Sequence, residues 1–170
     1  MLDVASNPSD AVEQALQQFG DDILRLAYSY MKNREDAEDI VQEVLIRFMQ
    51  AAGQYESEAH VKAWLLRVAA NLCKDKLKSA SRQREVAIPE GYEAATEESY
   101  EEEDSVLQLV QALPEKYRSV IHLYYYEEYA TTEIAEILQK KESTIRSLLK
   151  RGRDKLEKMM KGDEGHAKAV

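Results

Sequence analysis

TTEIAEILQKKESTIRSLLKRGRDKLEK, from Thr131 to Lys158, reads as two short amphipathic helices separated by a break. In the first, Ile134, Ala135, Ile137 and Leu138 share one side, and Thr131 or Thr132 stands where a hydroxyl caps exposed amides. Gln139 to Glu142 interrupt the pattern. A second helix beginning near Ser143 or Thr144 turns Ile145, Leu148, Leu149, Gly152 and Leu156 inward, because positions three, four, seven and eleven residues apart share a helix face. The spacing predicts a helix-turn-helix. The remaining faces of its second helix carry Arg146, Lys150, Arg151, Arg153 and Lys155, which suits the major groove, where such side chains meet phosphates and guanine acceptors. A solvated basic helix in an all-helical domain has the same pattern. The stretch by itself leaves both readings open.

The rest of the 170 residues supplies the context. Gly and Pro are scarce, no alternating apolar run marks a strand, and apolar residues recur at helical spacing almost throughout. The fold class expected is all-α: two small helical domains joined by an acidic flexible linker, the C-terminal one a helix-turn-helix. No stretch approaches the ~18 to 20 consecutive apolar residues that cross a bilayer, and no leader opens the chain, so a soluble, cytoplasmic protein is expected. Cys73 is the only cysteine and falls in a helical pattern, where a buried structural thiol is expected.

The net charge of −9 argues against nucleic acid only until its distribution is read. Residues 1–58 hold twelve acids against four bases, whereas 62–84 hold seven bases against Asp75 alone. Residues 85–104 hold nine acids and no base, and 139–161 hold nine bases against three acids. Two basic segments are thus separated by an anionic spacer whose charge equals that of the whole chain.

Taken in order, Val12, Ala15, Leu16 and Phe19 form one apolar stripe, and Ile23, Leu26, Ala27 and Tyr30 form a second beyond Gly20. Asn33 is placed to cap the next helix, with Glu35 and Asp36 in its first turn. That helix runs to about Ala52, with Ala37, Ile40, Val41, Val44, Leu45 and Phe48 inward and Glu35, Glu38, Asp39, Gln42 and Glu43 outside. Residues 53–59 form a loop in which Tyr55 has no obvious place in either flanking helix. The following helix, about His60 to Ser79, buries Val61, Leu65, Val68 and Leu72 and aligns Arg67, Asn71, Lys74 and Lys78 on a second face. A cationic stripe with an amide in its middle suits a phosphate backbone, and Trp64 beside it fits either the core or a platform for unstacked bases. Pro89, Gly91 and the acids mark 85–104 as a linker. Val106, Leu109, Val110 and Leu113 resume the helical pattern, Pro114 opens a helix burying Tyr117, Val120, Ile121 and Tyr124, and 162–170 reads as a disordered tail.

Four of these motifs together resemble the sigma factors of bacterial RNA polymerase, in the small extracytoplasmic-function branch: Leu26 to Met49, Trp64 to Leu77, Leu113 to Leu138, and Ser143 to Leu156. Their order and separation around a polar linker carry the resemblance. It implies a domain over 1–84 that docks on core polymerase and recognises and opens the minus-ten element, a linker over 85–104, and a domain over 105–161 that binds the minus-thirty-five element. It further implies polymerase contacts at Asp36, Asp39, Gln42 and Glu43. Contacts to minus-ten DNA are implied at Tyr55, Trp64, Arg67, Asn71, Lys74 and Lys78, and contacts to duplex DNA at Ser143, Thr144, Arg146, Ser147, Lys150, Arg151 and Arg153. Core RNA polymerase, promoter DNA and an anti-sigma factor are the implied partners. Gln139 stands where the family often has Gly, Leu148 where a basic residue is common, and Gly152 where Ala is common; a positive φ at Gln139 would carry strain.

Two other classes share parts of this pattern. A stand-alone helix-turn-helix regulator with an unrelated N-terminal partner domain would bind DNA tightly without polymerase. A −9 tether that competes with DNA for the basic helices argues against it, so weak binding by the free chain is expected. An enzyme finds little support: His60, His122 and His166 are scattered, Cys73 has no neighbouring metal ligand, and no phosphate loop or nucleophile motif appears. Neither a metal, a cofactor nor a small-molecule substrate is expected.

Overall fold

A computed structural model describes residues 7–51, 53, 55, 57–86 and 105–168. The order of elements is α1 (Pro8–Met31), α2 (Arg34–Ala51), α3 (Glu58–Val86), α4 (Ser105–Ala112), α5 (Glu115–Ile121), a π-helical turn (His122–Tyr126), α6 (Thr131–Leu138) and α7 (Glu142–Lys168). There is no strand among the described residues, and the protein is all-α. The chain divides into two compact units, Met1–Glu98 and Ser99–Val170. The division falls within the expected linker, which lies outside the described residues apart from Glu85 and Val86 at the end of α3.

The first unit packs α1, α2 and α3 against one another. Asn7 caps α1 through its side-chain oxygen, which accepts from the Asp10 amide, and Pro8 occupies the first turn, where its missing N–H costs nothing. The two expected stripes prove to be one continuous helix, with Gly20 buried inside it. Leu16, expected in the core, is 48 % exposed. At this end the buried seam follows Ala11, Ala15 and Phe19, four residues apart, and passes Leu16 by. Val12 is only half-buried.

Lys32 ends α1 in the left-handed region at φ 63°, its amide donating to the Tyr28 carbonyl at 2.9 Å. Asn33 then caps α2 as the sequence indicates, accepting from the Asp36 amide at 2.8 Å. Ala37, Ile40, Val44 and Phe48 are buried along α2, while Val41 and Leu45 are half-buried. Ser57 starts α3 by accepting the His60 amide on its hydroxyl at 3.1 Å. Val61, Leu65, Leu66, Ala69, Ala70 and Cys73 face the core, each such buried aliphatic side chain contributing about 1.5 to 3 kcal/mol. The helix continues to Val86, beyond the expected end near Ser79.

In the second unit α7 packs against α4, α5 and α6. Pro114 precedes α5, and its carbonyl accepts from the Tyr117 and Arg118 amides at 3.0 and 3.2 Å. Tyr117, Val120, Ile121 and Leu123 are buried, whereas Tyr124, expected in the same stripe, is half-buried because the helix widens at His122 into a π turn. That turn closes with the Glu127 amide donating to the His122 carbonyl at 3.2 Å. The imidazole and carboxylate of these two residues are buried 3.4 Å apart. Gly152 lets α7 approach α5 closely: a Cβ there would sit 3.2 Å from two carbons of Ile121.

The helix-turn-helix has the expected core, Ile134, Ile137 and Leu138 from α6 with Ile145, Leu148 and Leu149 from α7. Its details differ from the sequence reading. Ala130, not a threonine, precedes α6, and the Glu133 carboxylate closes the first turn by accepting the Ala130 amide at 2.9 Å. The Thr131 hydroxyl instead donates to Glu142 Oε1 at 3.0 Å, tying the start of α6 to the start of α7. Gln139 ends α6 at φ 55°, with the Lys140 amide returning to the Ala135 carbonyl at 3.0 Å. The last helix does not stop at Lys161 but runs to Lys168. Extending an established helix requires no new nucleus, and Lys161 bonds Glu157 at 2.8 Å one turn back.

Candidate functional site

Three surfaces collect the residues that the sequence singles out. The first is the outward side of α2. Glu35, Glu38, Asp39 and Gln42 are exposed there, opposite the Ile40, Val44 and Phe48 seam. Two of the acids are already engaged: Glu38 accepts from Arg34 at 2.6 Å, and Glu43, half-buried, from Arg47 at 3.2 Å. Asp36 differs from the others. Its carboxylate accepts from Asn33 Nδ2 at 2.8 Å and from Lys76 Nζ of α3 at 3.1 Å, and Asp39 lies 3.9 Å from the same ammonium. The Asn33 hydrogen bond, opposed by partial burial and assisted by Lys76, holds the Asp36 carboxyl below its ordinary range. Asp36 is therefore first a fastener between α2 and α3.

Ile46 and Met49, which are not among the residues singled out from the sequence, are 44 % and 43 % exposed. Both fall on the outward side of α2, four and seven residues beyond Gln42, so the acidic face continues into an apolar one. The signal was present in their helical phase, opposite Val44 and Phe48.

The second surface is on α3. Arg67, Asn71, Lys74 and Lys78 follow one another along the side opposite Leu65, Ala69 and Cys73; Asn71 and Lys78 are exposed, and Arg67 and Lys74 are half-buried. Tyr55 is not part of this surface. It is 7 % exposed, stacked on Phe48 with ring centroids 5.6 Å apart and meeting the edge of Trp64 at 6.0 Å. Its ring packs against Phe48 of α2, and burial raises the phenol's pKa. Trp64, half-buried, joins this aromatic cluster, its ring 6.0 Å from those of Phe48 and Tyr55.

The third surface is the outer side of α7. Ser143, Thr144, Arg146, Ser147, Lys150, Arg151 and Arg153 are all exposed. Arg146 bonds Glu142 at 3.1 Å, the Ser147 hydroxyl donates to the Ser143 carbonyl at 3.0 Å, and Arg153 Nη1 donates to the Tyr125 hydroxyl at 3.4 Å. Leu148 packs inward, so the outer side of this helix presents hydroxyls and cations. Among the described residues no three His, Cys, Asp or Glu side chains gather to hold a metal ion, and no helix is long and apolar enough to cross a membrane.

A three-helix unit with an acidic and a cationic face, followed by a unit built on a basic helix-turn-helix, defines a modular all-helical protein. The sigma-70 region 2 family matches residues 15–83, and the sigma-70 region 4 family matches residues 103–156. Among curated proteins, the ECF RNA polymerase sigma factor SigE of Mycolicibacterium smegmatis is 35 % identical over 91 residues, 54 % of this chain and 34 % of that protein. The ECF RNA polymerase sigma factor BldN of Streptomyces coelicolor is 31 % identical over 101 residues, 59 % of this chain and 38 % of that one. The chain thus spans about a third of the length of these relatives. Among solved structures, the sigma factor RpoE of Bartonella quintana, in complex with the anti-sigma factor NepR, has a similar fold. Its TM-score is 0.69 at 22 % identity, covering 88 % of this chain and 96 % of that one. CnrH, in complex with the cytosolic domain of CnrY, gives a TM-score of 0.68 at 21 % identity and 94 % coverage of both chains. The chain belongs to the sigma-70 family, in its extracytoplasmic-function branch.

Proposed function

We propose that this chain is an initiation subunit of bacterial RNA polymerase that works in the cytoplasm, has no catalytic chemistry of its own, and directs core enzyme to a set of promoters. The observation that carries this reading is the presence, on separate helices of one chain, of one acidic outward face and two cationic ones. The face of α2, with Asp39, Gln42, Glu43, Ile46 and Met49, suits a basic polymerase surface with an apolar centre. The row Arg67, Asn71, Lys74 and Lys78 suits the opened strand of the minus-ten element, where backbone charge is met by cations and a base edge by the amide. Residues Ser143 to Arg153 suit the duplex minus-thirty-five element.

In this reading residues 1–84 dock and melt, 105–161 read duplex DNA, and 85–104 tether the two. Aromatic packing of Phe48, Tyr55 and Trp64 holds the loop after α2 against the start of α3, so polymerase docking and strand capture share one rigid support. An anti-sigma factor is the third partner class, by extension from the solved relatives. No cofactor or small-molecule substrate enters.

Promoter-DNA binding by the full chain, alone and with core polymerase, tests the proposal. Weak binding alone and tight, sequence-specific binding with core is the expected result. Tight, specific binding by the isolated chain would contradict it and favour a stand-alone regulator.

A further inference from the structure

Tyr125 and Arg153 meet from different elements of the second unit. Tyr125 stands on the π-helical turn, 49 % exposed, and its hydroxyl accepts from Arg153 Nη1 at 3.4 Å. Arg153 belongs to the row Arg146, Lys150 and Arg153, spaced four and three residues apart along one edge of α7. Arg146 is partly neutralised by Glu142 at 3.1 Å. Arg153 differs: among the described residues it pairs with no carboxylate, and Glu157, one turn on, is taken by Lys161 at 2.8 Å.

The hydroxyl of Tyr125 adds to that charge. Having accepted from the guanidinium, it keeps its own proton to donate outward, and the guanidinium keeps further N–H groups. Two kinds of donor thus converge on one exposed spot. A second cross-link fixes where this spot lies. Thr131 bonds Glu142 at the start of α7, and Tyr125 bonds Arg153 eleven residues later, so the segment between Tyr125 and Thr131 follows one edge of α7 for about 16 Å. That edge flanks the exposed side on which Ser143, Ser147 and Lys150 lie.

We propose that Tyr125 and Arg153 together bind one phosphate of the DNA backbone, so that the π turn ahead of the helix-turn-helix supplies a contact which α7 alone does not make. This rests on the reading of α7 as the duplex-binding helix. A phosphodiester is the ligand class that matches a cation paired with a neutral donor on an exposed rim. Such a contact carries position and not sequence.

Holoenzyme binding to promoter DNA, measured across a salt series for wild type, Tyr125→Phe, Arg153→Gln and the double variant, tests the pair. Tyr125 is exposed and phenylalanine keeps its ring, so the fold is retained and a thermal melt confirms it. Tyr125→Phe should weaken binding by about three- to tenfold with the salt slope unchanged, because only a neutral hydrogen bond is lost. Arg153→Gln should flatten the log-affinity slope by about one. The double variant should be little worse than Arg153→Gln, and the loss should be equal on promoters that differ in the minus-thirty-five bases. Wild-type affinity in Tyr125→Phe, additive losses, or a loss confined to one base sequence would overturn the proposal. Absence of promoter binding by the wild-type holoenzyme would overturn the functional reading itself, and this pair with it.

Discussion

Lys76 Nζ of α3 lies 3.1 Å from Asp36 Oδ1 of α2 and 3.9 Å from Asp39 Oδ2. The contact spans forty residues and joins the acidic helix to the one bearing the cationic row. Asn33 completes it, accepting the Asp36 amide and donating to the Asp36 carboxylate, each at 2.8 Å. The helix proposed to dock on polymerase and the helix proposed to capture the opened strand thus hold one another by a defined polar contact.

A double-mutant cycle of Lys76→Met and Asp36→Asn should give a coupling of about 0.5 to 1 kcal/mol, because both side chains are substantially exposed and screened. The Asp36 carboxyl is held below its ordinary range, chiefly by Asn33, so the stability it contributes is present above the unfolded value of about 4. That contribution is lost as pH falls through the lower folded value. Asp36→Asn should therefore reduce stability at neutral pH and narrow the gap to wild type in acid. Denaturant melts at several pH values measure both, and a gap that widens in acid would contradict the assignment.

Tyr55 packs on Phe48 and Trp64, so its loss should be felt in stability before it is felt in DNA binding. Tyr55→Ala should lower the unfolding free energy by roughly 3 kcal/mol, in the range of buried aromatic truncations, while Tyr55→Phe should stay within about 1 kcal/mol of wild type. Chemical denaturation of the full chain decides. An unchanged midpoint for Tyr55→Ala would contradict the packing role.

Gly152 sets the distance between α7 and α5. Gly152→Leu places side-chain atoms where Ile121 already stands, and should destabilise by about 1 to 3 kcal/mol. Adding Ile121→Ala to that variant should recover part of the loss, since the added volume then has room. Thermal melts of the single and double variants give the comparison; two purely additive losses would mean that the helices do not meet at this pair.

Gln139 turns the chain between α6 and α7 in the left-handed region, where a side chain costs energy that glycine avoids. Gln139→Gly should raise stability by about 1 kcal/mol without altering promoter preference, because Gln139 closes the turn and belongs to neither helix. A lower melting temperature would show that the amide side chain contributes more than the backbone strain.

The parts of this protein that depend on neighbours in sequence were legible in it. Ile145 and Leu149 announce the buried side of α7 by their spacing, Asn33 announces the start of α2 by its capping chemistry, and the exposed cations of α7 follow from the same phase. What escaped depends on contacts between distant residues. Nothing local distinguishes Tyr55 as a core ring, since its place is made by Phe48 and Trp64 on two different helices. Thr131 has the chemistry of a cap and is drawn to Glu142 instead. The π turn follows an unbroken apolar phase, and the segment from 162, expected to be a disordered tail, continues an already nucleated helix to Lys168. Candidate sites shared this division: the rows on α3 and α7 were visible, Ile46 and Met49 were readable from their helical phase, and Tyr125 emerged only with its exposure and its tertiary contact to Arg153.

Run-off transcription with purified core polymerase, with and without this chain, on a genomic promoter library tests the central claim most directly. The account predicts discrete start sites that appear only when the chain is present and fade when Arg146 and Lys150 are neutralised together. An identical transcript pattern with and without the chain would contradict it.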